Sequence, residues 1–246
     1  MYQAVAYQKR TNTVHVWDDQ KGHVQIKYKP YAYRKSAYGK LVALDGETVD
    51  KVYNPGDEQG LYENDLNPEM RTLIDMYTDS DEASVGHKTL FIDIEVDIES
   101  GFPTPEKAEN EVTSIAIYDE AGDQRCVWIL DKDGIVDNVN KPGYEVTSCS
   151  DERILLSRFL VKYQEIMPTL ITGWNIDFFD IPYLYNRMCH ILGEKQARGM
   201  SPINDVIWLK HRNRYRISGV SCLDYMALYK NFTYNQESSY SLEAIS

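Results

Sequence analysis

The chain has 246 residues, 43% of them hydrophobic and 26% charged, which is enough for one large domain or two ordinary ones with proper cores. A formal net charge of −12 excludes a protein that coats nucleic acid by bulk electrostatics, so any such contact has to be local. No apolar run approaches the roughly 20 residues that cross a bilayer, the first ten residues lack a leader pattern, and Cys126, Cys149, Cys189 and Cys222 form no close pair. A soluble, cytoplasmic chain with free thiols and no membrane partner is expected.

Residues 1–53 carry nine Lys or Arg against five Asp or Glu, whereas 54–88 carry two against nine, so basic charge is concentrated early. Val5 to Tyr7, Val14 to Trp17 and Val24 to Tyr28 lie between tight turns and predict a small antiparallel sheet. Lys27-Tyr28-Lys29-Pro30-Tyr31-Ala32-Tyr33-Arg34-Lys35 interleaves bases with aromatics. Such a segment can pair with phosphates while its rings stack on unpaired bases, or it can be an edge strand kept soluble by lysines. If the first holds, segment 27–40 makes a non-catalytic nucleic-acid-binding module the alternative reading of the chain. Further on, Asn67 as cap, Pro68 at the first position and Glu69 in the first turn predict a helix that buries Met70, Leu73, Ile74 and Tyr77. Thr78 to His87 is polar, and a domain boundary is expected at Lys88, giving domains 1–88 and 89–246.

Leu90-Phe91-Ile92-Asp93-Ile94-Glu95-Val96 then reads as a strand. Side chains alternate along a strand, so Asp93 and Glu95 share one face with Phe91 while Leu90, Ile92, Ile94 and Val96 share the other. Two adjacent carboxylates repel, and the face needs open solvent or a cation. Both remain possible on this stretch alone. Strands at Val112 to Tyr118 and Gln124 to Leu130 continue a meander, 131–149 reads as loop, and Asp151 to Ile166 as a helix capped by Ser150 with Ile154, Leu155, Phe159 and the Lys162 stem inward. Leu170 to Trp174 suits a buried strand.

Asn175-Ile176-Asp177-Phe178-Phe179-Asp180 leaves that strand, and Ile181, Leu184, Tyr185, Met188, Ile191 and Leu192 form the apolar stripe of a helix closed by Gly193. Asp180 lies at the helix mouth, where it is either an N-cap or a ligand, and Asp177 reads as a solvated turn residue. Asp93, Glu95 and Asp180 are hard oxygen donors of the kind Mg²⁺ and Mn²⁺ prefer. Two such ions roughly 4 Å apart activate water and stabilise the leaving oxygen of a phosphodiester. No glycine-rich phosphate loop or Ser, Cys or His nucleophile arrangement competes.

Phe91-Ile92-Asp93-Ile94-Glu95-Val96 resembles the first exonuclease motif of family B DNA polymerases, and Asn175 to Asp180 followed by Ile181-Pro182-Tyr183 resembles the second. Leu61 to Asp75 is similar to the helix-bearing segment that precedes the first motif. Gly101-Phe102-Pro103 and Leu223-Asp224-Tyr225-Met226-Ala227-Leu228-Tyr229-Lys230 are placed as in the replicative polymerases of T-even-like phages. The resemblance implies a mixed α/β architecture: a small antiparallel-sheet N-terminal domain and then a ribonuclease H-like 3′→5′ proofreading exonuclease domain with a mixed sheet. Asp93, Glu95 and Asp180 would be catalytic and would bind two divalent metal ions, Mg²⁺ or Mn²⁺. Phe102, Asn175 and Phe179 would contact a frayed primer 3′ end. A basic hairpin at Val206 to Ile217, with Lys210, Arg212 and Arg214, would approach phosphates and help separate primer from template.

The family's third exonuclease motif, and the palm, fingers and thumb that polymerise DNA, would lie beyond Ser246. The chain is therefore expected to be an N-terminal fragment that trims DNA weakly alone, in a viral replication protein of the host-cell cytoplasm. Its expected partners are primer–template DNA, the rest of the polymerase and, through that part, a sliding clamp and replisome proteins. Asp224 has no catalytic role in the family pattern.

Overall fold

The structure, a computed structural model, describes residues 1–99, 101–233 and 237–245. The chain divides into two compact units, Met1–Val85 and Gly86–Ser246.

In the first unit β1 (Tyr2–Gln8), β2 (Thr13–Asp18) and β3 (Gly22–Lys27) form one antiparallel sheet. A second contains β4 (Tyr31–Lys35), β5 (Leu41–Val42) and β6 (Thr48–Tyr53), with β6 central. Pro30 separates the sheets; lacking an N–H and fixed in φ, it interrupts what the sequence presents as one Tyr/Lys run. Helix α1 (Pro68–Tyr77) starts where expected, with the Asn67 side chain accepting the Met70 N–H at 2.8 Å. Its expected apolar stripe is not buried: Met70 is 51% exposed and Ile74 is also exposed, while Arg71 and Thr72 are covered. Arg71 can go inside because Glu63 accepts from its guanidinium through both a carboxylate oxygen (2.6 Å) and the backbone carbonyl (2.8 Å).

The second unit is built on a mixed seven-stranded sheet. In chain order its strands are β7 (Thr89–Val96), β8 (Val112–Asp119), β9 (Gln124–Leu130), β10 (Val139–Lys141), β11 (Tyr144–Cys149), β12 (Leu170–Gly173) and, after a separate hairpin, Ser221–Asp224. They lie in the spatial order β10-β11-β9-β8-β7-β12 and then Ser221–Asp224. β7, β8 and β9 form the expected antiparallel meander; β11 pairs parallel with β9, and β12 parallel with both β7 and Ser221–Asp224. The segment 131–149, expected as loop, therefore holds two strands. Tyr144–Cys149 buries only Val146, Thr147 and Cys149 and is strand because β9 offers it a hydrogen-bonding edge, which its own alternation does not announce.

Helix α2 (Glu152–Ile166) packs on β8 and β9 with Leu155, Leu156, Phe159, Leu160, Tyr163 and Ile166. Its cap is Asp151, which accepts the Ile154 N–H at 2.9 Å, not Ser150, and Ile154 faces outward. Helix α3 (Asp180–Ile191) buries Ile181, Leu184, Tyr185 and Met188 in the same core, next to α4 (Glu194–Ala197). The hairpin is β13 (Val206–Leu209) with β14 (Arg214–Ile217), followed by β15, the Ser221–Asp224 edge strand. Helices α5 (Tyr225–Phe232) and α6 (Leu242–Ile245) complete the described elements. Among the described residues no helix is long and apolar enough to cross a membrane.

Candidate nuclease site

β7 alternates as its sequence dictates: Leu90, Ile92 and Ile94 are buried, and Phe91, Asp93 and Glu95 lie on the open face. Opposite Glu95 the pairing with β8 slips, since Glu95 faces Ser114 but Val96 faces Val112. The extra residue, Thr113, is a bulge of the kind that re-aims side chains beside functional sites.

Asp180 meets this strand because β12 is short. β12 pairs with β7 only as far as Phe91 and ends at Gly173, where a Cβ would stand 2.4 Å from the Ile92 carbonyl oxygen. Beyond the last residue paired with β12, β7 presents the Ile94 N–H on that side. Asp180 Oδ1 accepts it at 3.1 Å. Asp180 is thus the first residue of α3, after the Phe179 cap position, and its carboxylate reaches across to β7 instead of capping its own helix. It is only 4% exposed. Burial, and then the Asp93 charge, push its pKa up to about 7 against the Ile94 N–H, which lowers it. Partial desolvation also raises the Asp93 pKa.

The loop between β12 and α3 is tied down by Asp224, which has no catalytic role in the family pattern. Asn175 is left-handed (φ 61°), a conformation Asn tolerates. The Asp224 carboxylate, buried at the end of β15, accepts the N–H groups of Asn175 (3.1 Å) and Asp177 (3.2 Å) through separate oxygens. It also accepts from Met226 and Ala227 at the start of α5. Its only sequence signal was the N-cap position before Tyr225. Asp177 is buried, not solvated, and is paired with the Arg214 guanidinium of β14; burial raises its pKa while Arg214 lowers it.

The other expected contact residues are distributed as follows. Phe102 is 91% exposed. Phe179 is partly buried with its ring stacked on Tyr183 (centroids 5.6 Å apart), and its neighbour Phe178 is the one that projects. Lys210 and Arg212 are exposed at the hairpin tip, whereas Arg214 is engaged with Asp177. Phe178, Trp208 and Tyr215 line a cleft of about 360 Å³ between α3 and the hairpin. A buried bidentate pair, Arg187 with Glu152 (2.8 and 2.7 Å), joins α3 to α2, and Glu152 also accepts the Val112 N–H at the start of β8.

Asp93, Glu95 and Asp180 fit divalent cations in kind, being hard oxygen donors. Asp93 and Asp180 interact electrostatically, yet among the described residues no three His, Cys, Asp or Glu side chains are gathered as a metal cage.

A mixed sheet with two acids on an inner strand and a third at the head of the helix after the adjoining parallel strand defines a nuclease domain of the ribonuclease H-like class. Residues 62–245 match the family profile described as DNA polymerase family B, exonuclease domain. The chain belongs to that family. It is similar to the DNA-directed DNA polymerase of Escherichia phage RB69 (32% identical over 182 residues, 63% of this chain and 20% of the relative). The DNA-directed DNA polymerase of Enterobacteria phage T4 is 33% identical over 172 residues, 58% of this chain and 19% of the relative. A DNA polymerase catalytic subunit of Alcelaphine herpesvirus 1 is 35% identical over 112 residues, 44% of this chain and 11% of the relative. The chain spans about a fifth of the length of the two phage relatives.

Proposed function

We propose that the second unit removes nucleotides from the 3′ end of single-stranded DNA by phosphodiester hydrolysis, with Asp93, Glu95 and Asp180 holding two divalent cations, Mg²⁺ or Mn²⁺. The observation that carries this reading is Asp180. A buried carboxyl whose pKa is raised to about 7 beside a second carboxylate is half protonated at neutral pH unless a cation balances it. Bound divalent ions supply a nucleophilic water at neutral pH and neutralise charge on the leaving oxygen.

The chain's own residues do the positioning. Asp224 and the Ile94 N–H fix the two ends of the Asn175–Asp180 loop, so that the Asp180 carboxylate cannot drift from β7. The exposed rings of Phe102 and Phe178 offer faces for unpaired bases, and Asn175 offers an amide. Lys210 and Arg212 at the hairpin tip offer charge to phosphates. Arg214 supports the loop through Asp177, and we assign it to that task in place of DNA contact. We place the activity in proofreading during DNA replication, on primer–template DNA and together with polymerising palm, fingers and thumb domains and a sliding clamp.

The test is a 5′-labelled single strand incubated with the chain in Mg²⁺ or Mn²⁺. Shortening one nucleotide at a time from the 3′ end, however slow, with a drop of about 10²-fold or more in Asp93→Ala, is expected. Shortening that survives EDTA, or that is unchanged in Asp93→Ala, overturns the assignment.

A further inference from the structure

Asn186, six residues beyond Asp180 on α3, has no part in the carboxylate site, yet its side chain touches both elements to which DNA contact is assigned above. Its Nδ2 donates to the Pro105 carbonyl at 2.8 Å, and its Oδ1 accepts the Tyr215 hydroxyl at 2.6 Å. Pro105 lies in the loop between β7 and β8, three residues after Phe102. Tyr215 lies on β14, whose turn from β13 carries Lys210 and Arg212. Chemistry fixes the direction of the amide, because Pro105 can offer only a carbonyl and the amide oxygen is left for the hydroxyl. One side chain on the helix that carries Asp180 therefore ties loop to hairpin.

The other anchors of the two elements do not join them to each other. The far part of the loop is pinned to α3 by the Tyr183 hydroxyl, which donates to the Asn110 carbonyl (2.8 Å), and by Arg187, which donates to the carbonyls of Ala108 (3.2 Å) and Glu109 (2.7 Å). Just before Phe102, the Gly101 carbonyl accepts from the Asn110 side chain at 3.0 Å. Asn186 supplies the anchor just after it, so two held carbonyls bracket an exposed ring. On the hairpin, Arg214 pairs with Asp177, and the Tyr215 ring lies against Tyr185 (centroids 4.6 Å apart) and Trp208 (4.9 Å). None of these hairpin contacts reaches the Phe102 loop, and the Asn186 bridge does.

Pro105 and Tyr215 line the cleft of about 360 Å³ from the loop and from the hairpin, with Asn186 between them, so the bridge sets the spacing of its walls. Asn186 is only half-buried, and water can replace it at both partners with little loss of stability. What the bridge contributes is relative position. Two contact elements held in register before a ligand arrives are spared the ordering cost that each would otherwise meet separately. We propose that Asn186 is a positioning residue that couples the Phe102 loop to the β13–β14 hairpin, so that a single DNA strand is gripped by ring and cations together. This rests on the assignment of those two elements to DNA contact under the nuclease reading.

The experiment is binding of the full chain, in EDTA, to a short oligothymidylate labelled with fluorescein at its 5′ end, read by fluorescence anisotropy. Asn186→Leu keeps the size of the side chain and removes both bonds, and should raise Kd about tenfold. Tyr215→Phe and Asn186→Asp each break one of the two bonds and should raise it about threefold. The decisive readout is coupling. In the wild type, Phe102→Ala and Lys210→Ala combined should weaken binding by less than the product of their separate effects, whereas in Asn186→Leu the combined effect should equal that product. A residue that only supported the fold would weaken binding without changing the coupling. Should Asn186→Leu shift the urea midpoint, Tyr215→Phe, which deletes a single hydroxyl, carries the same test. An unchanged Kd in Asn186→Leu, coupling that is absent in the wild type or equal in both backgrounds, or a wild type that does not bind, overturns the proposal. Trimming that persists in Asp93→Ala overturns the metal assignment and leaves these binding constants as they are, so the two failures are told apart.

Discussion

Asp180→Asn separates the electrostatics of the site from its packing. Asn keeps the shape and an oxygen that can accept the Ile94 N–H (3.1 Å in the native protein) but carries no charge. With a folded pKa of about 7 against an ordinary value of 3.8, the native group binds more protons folded than unfolded. Its contribution is complete below the unfolded value and is lost as pH rises through about 7. At about pH 8 without divalent ions, ionised Asp180 costs up to about 4 kcal/mol relative to low pH, since each pKa unit corresponds to about 1.4 kcal/mol. Asp180→Asn should therefore stabilise the metal-free chain by a sizeable part of that at about pH 8, by roughly a third as much at about pH 5, and by little below about pH 4. Urea unfolding followed by tryptophan fluorescence reads it, since Trp128, Trp174 and Trp208 belong to the second unit. Mg²⁺ or Mn²⁺ should stabilise the wild type and not the variant. A variant that is destabilised equally at both pH values, or that keeps the metal response, refutes the reasoning.

Asp224→Ala removes the acceptor of four N–H groups and should lower trimming at least tenfold, while Asp224→Asn recovers part of it; equal loss in both, tracking stability alone, would show only a structural role. Arg187→Ala leaves the Glu152 carboxylate buried and unpaired, and denaturant unfolding should show a loss of about 3 to 5 kcal/mol. Gly173→Ala would put a methyl 2.4 Å from the Ile92 carbonyl oxygen and 2.6 Å from Ile176, so β12 must withdraw from β7; a Tm fall together with loss of the metal-induced Tm rise is expected.

The parts of the site that were legible in the sequence are those set by local rules. Strand alternation placed Asp93 and Glu95 on one face, and the helical stripe from Ile181 to Met188 placed α3 with Asp180 at its head. Residues whose roles depend on distant partners were not legible. Asp177 reads as a turn residue until Arg214 of β14 lies against it, and Asp224 has no role on the sequence until the Asn175 loop folds onto its carboxylate. Arg71 inside and Met70 outside reverse hydropathy because Glu63, eight residues earlier, satisfies the guanidinium. β11 likewise needed β9 beside it before its mixed residues became a strand.

Asp93, Glu95 and Asp180 are proposed to hold the divalent cations that would activate a water for hydrolysis at the 3′ end of a DNA strand. A crystal of the chain soaked with Mn²⁺ and a short single strand tests it by anomalous scattering. Mn²⁺ on the carboxylates of Asp93 and Asp180, with the 3′-terminal phosphate beside it, is expected. Mn²⁺ and the 3′ end seated together elsewhere, with both carboxylates unligated, would contradict it.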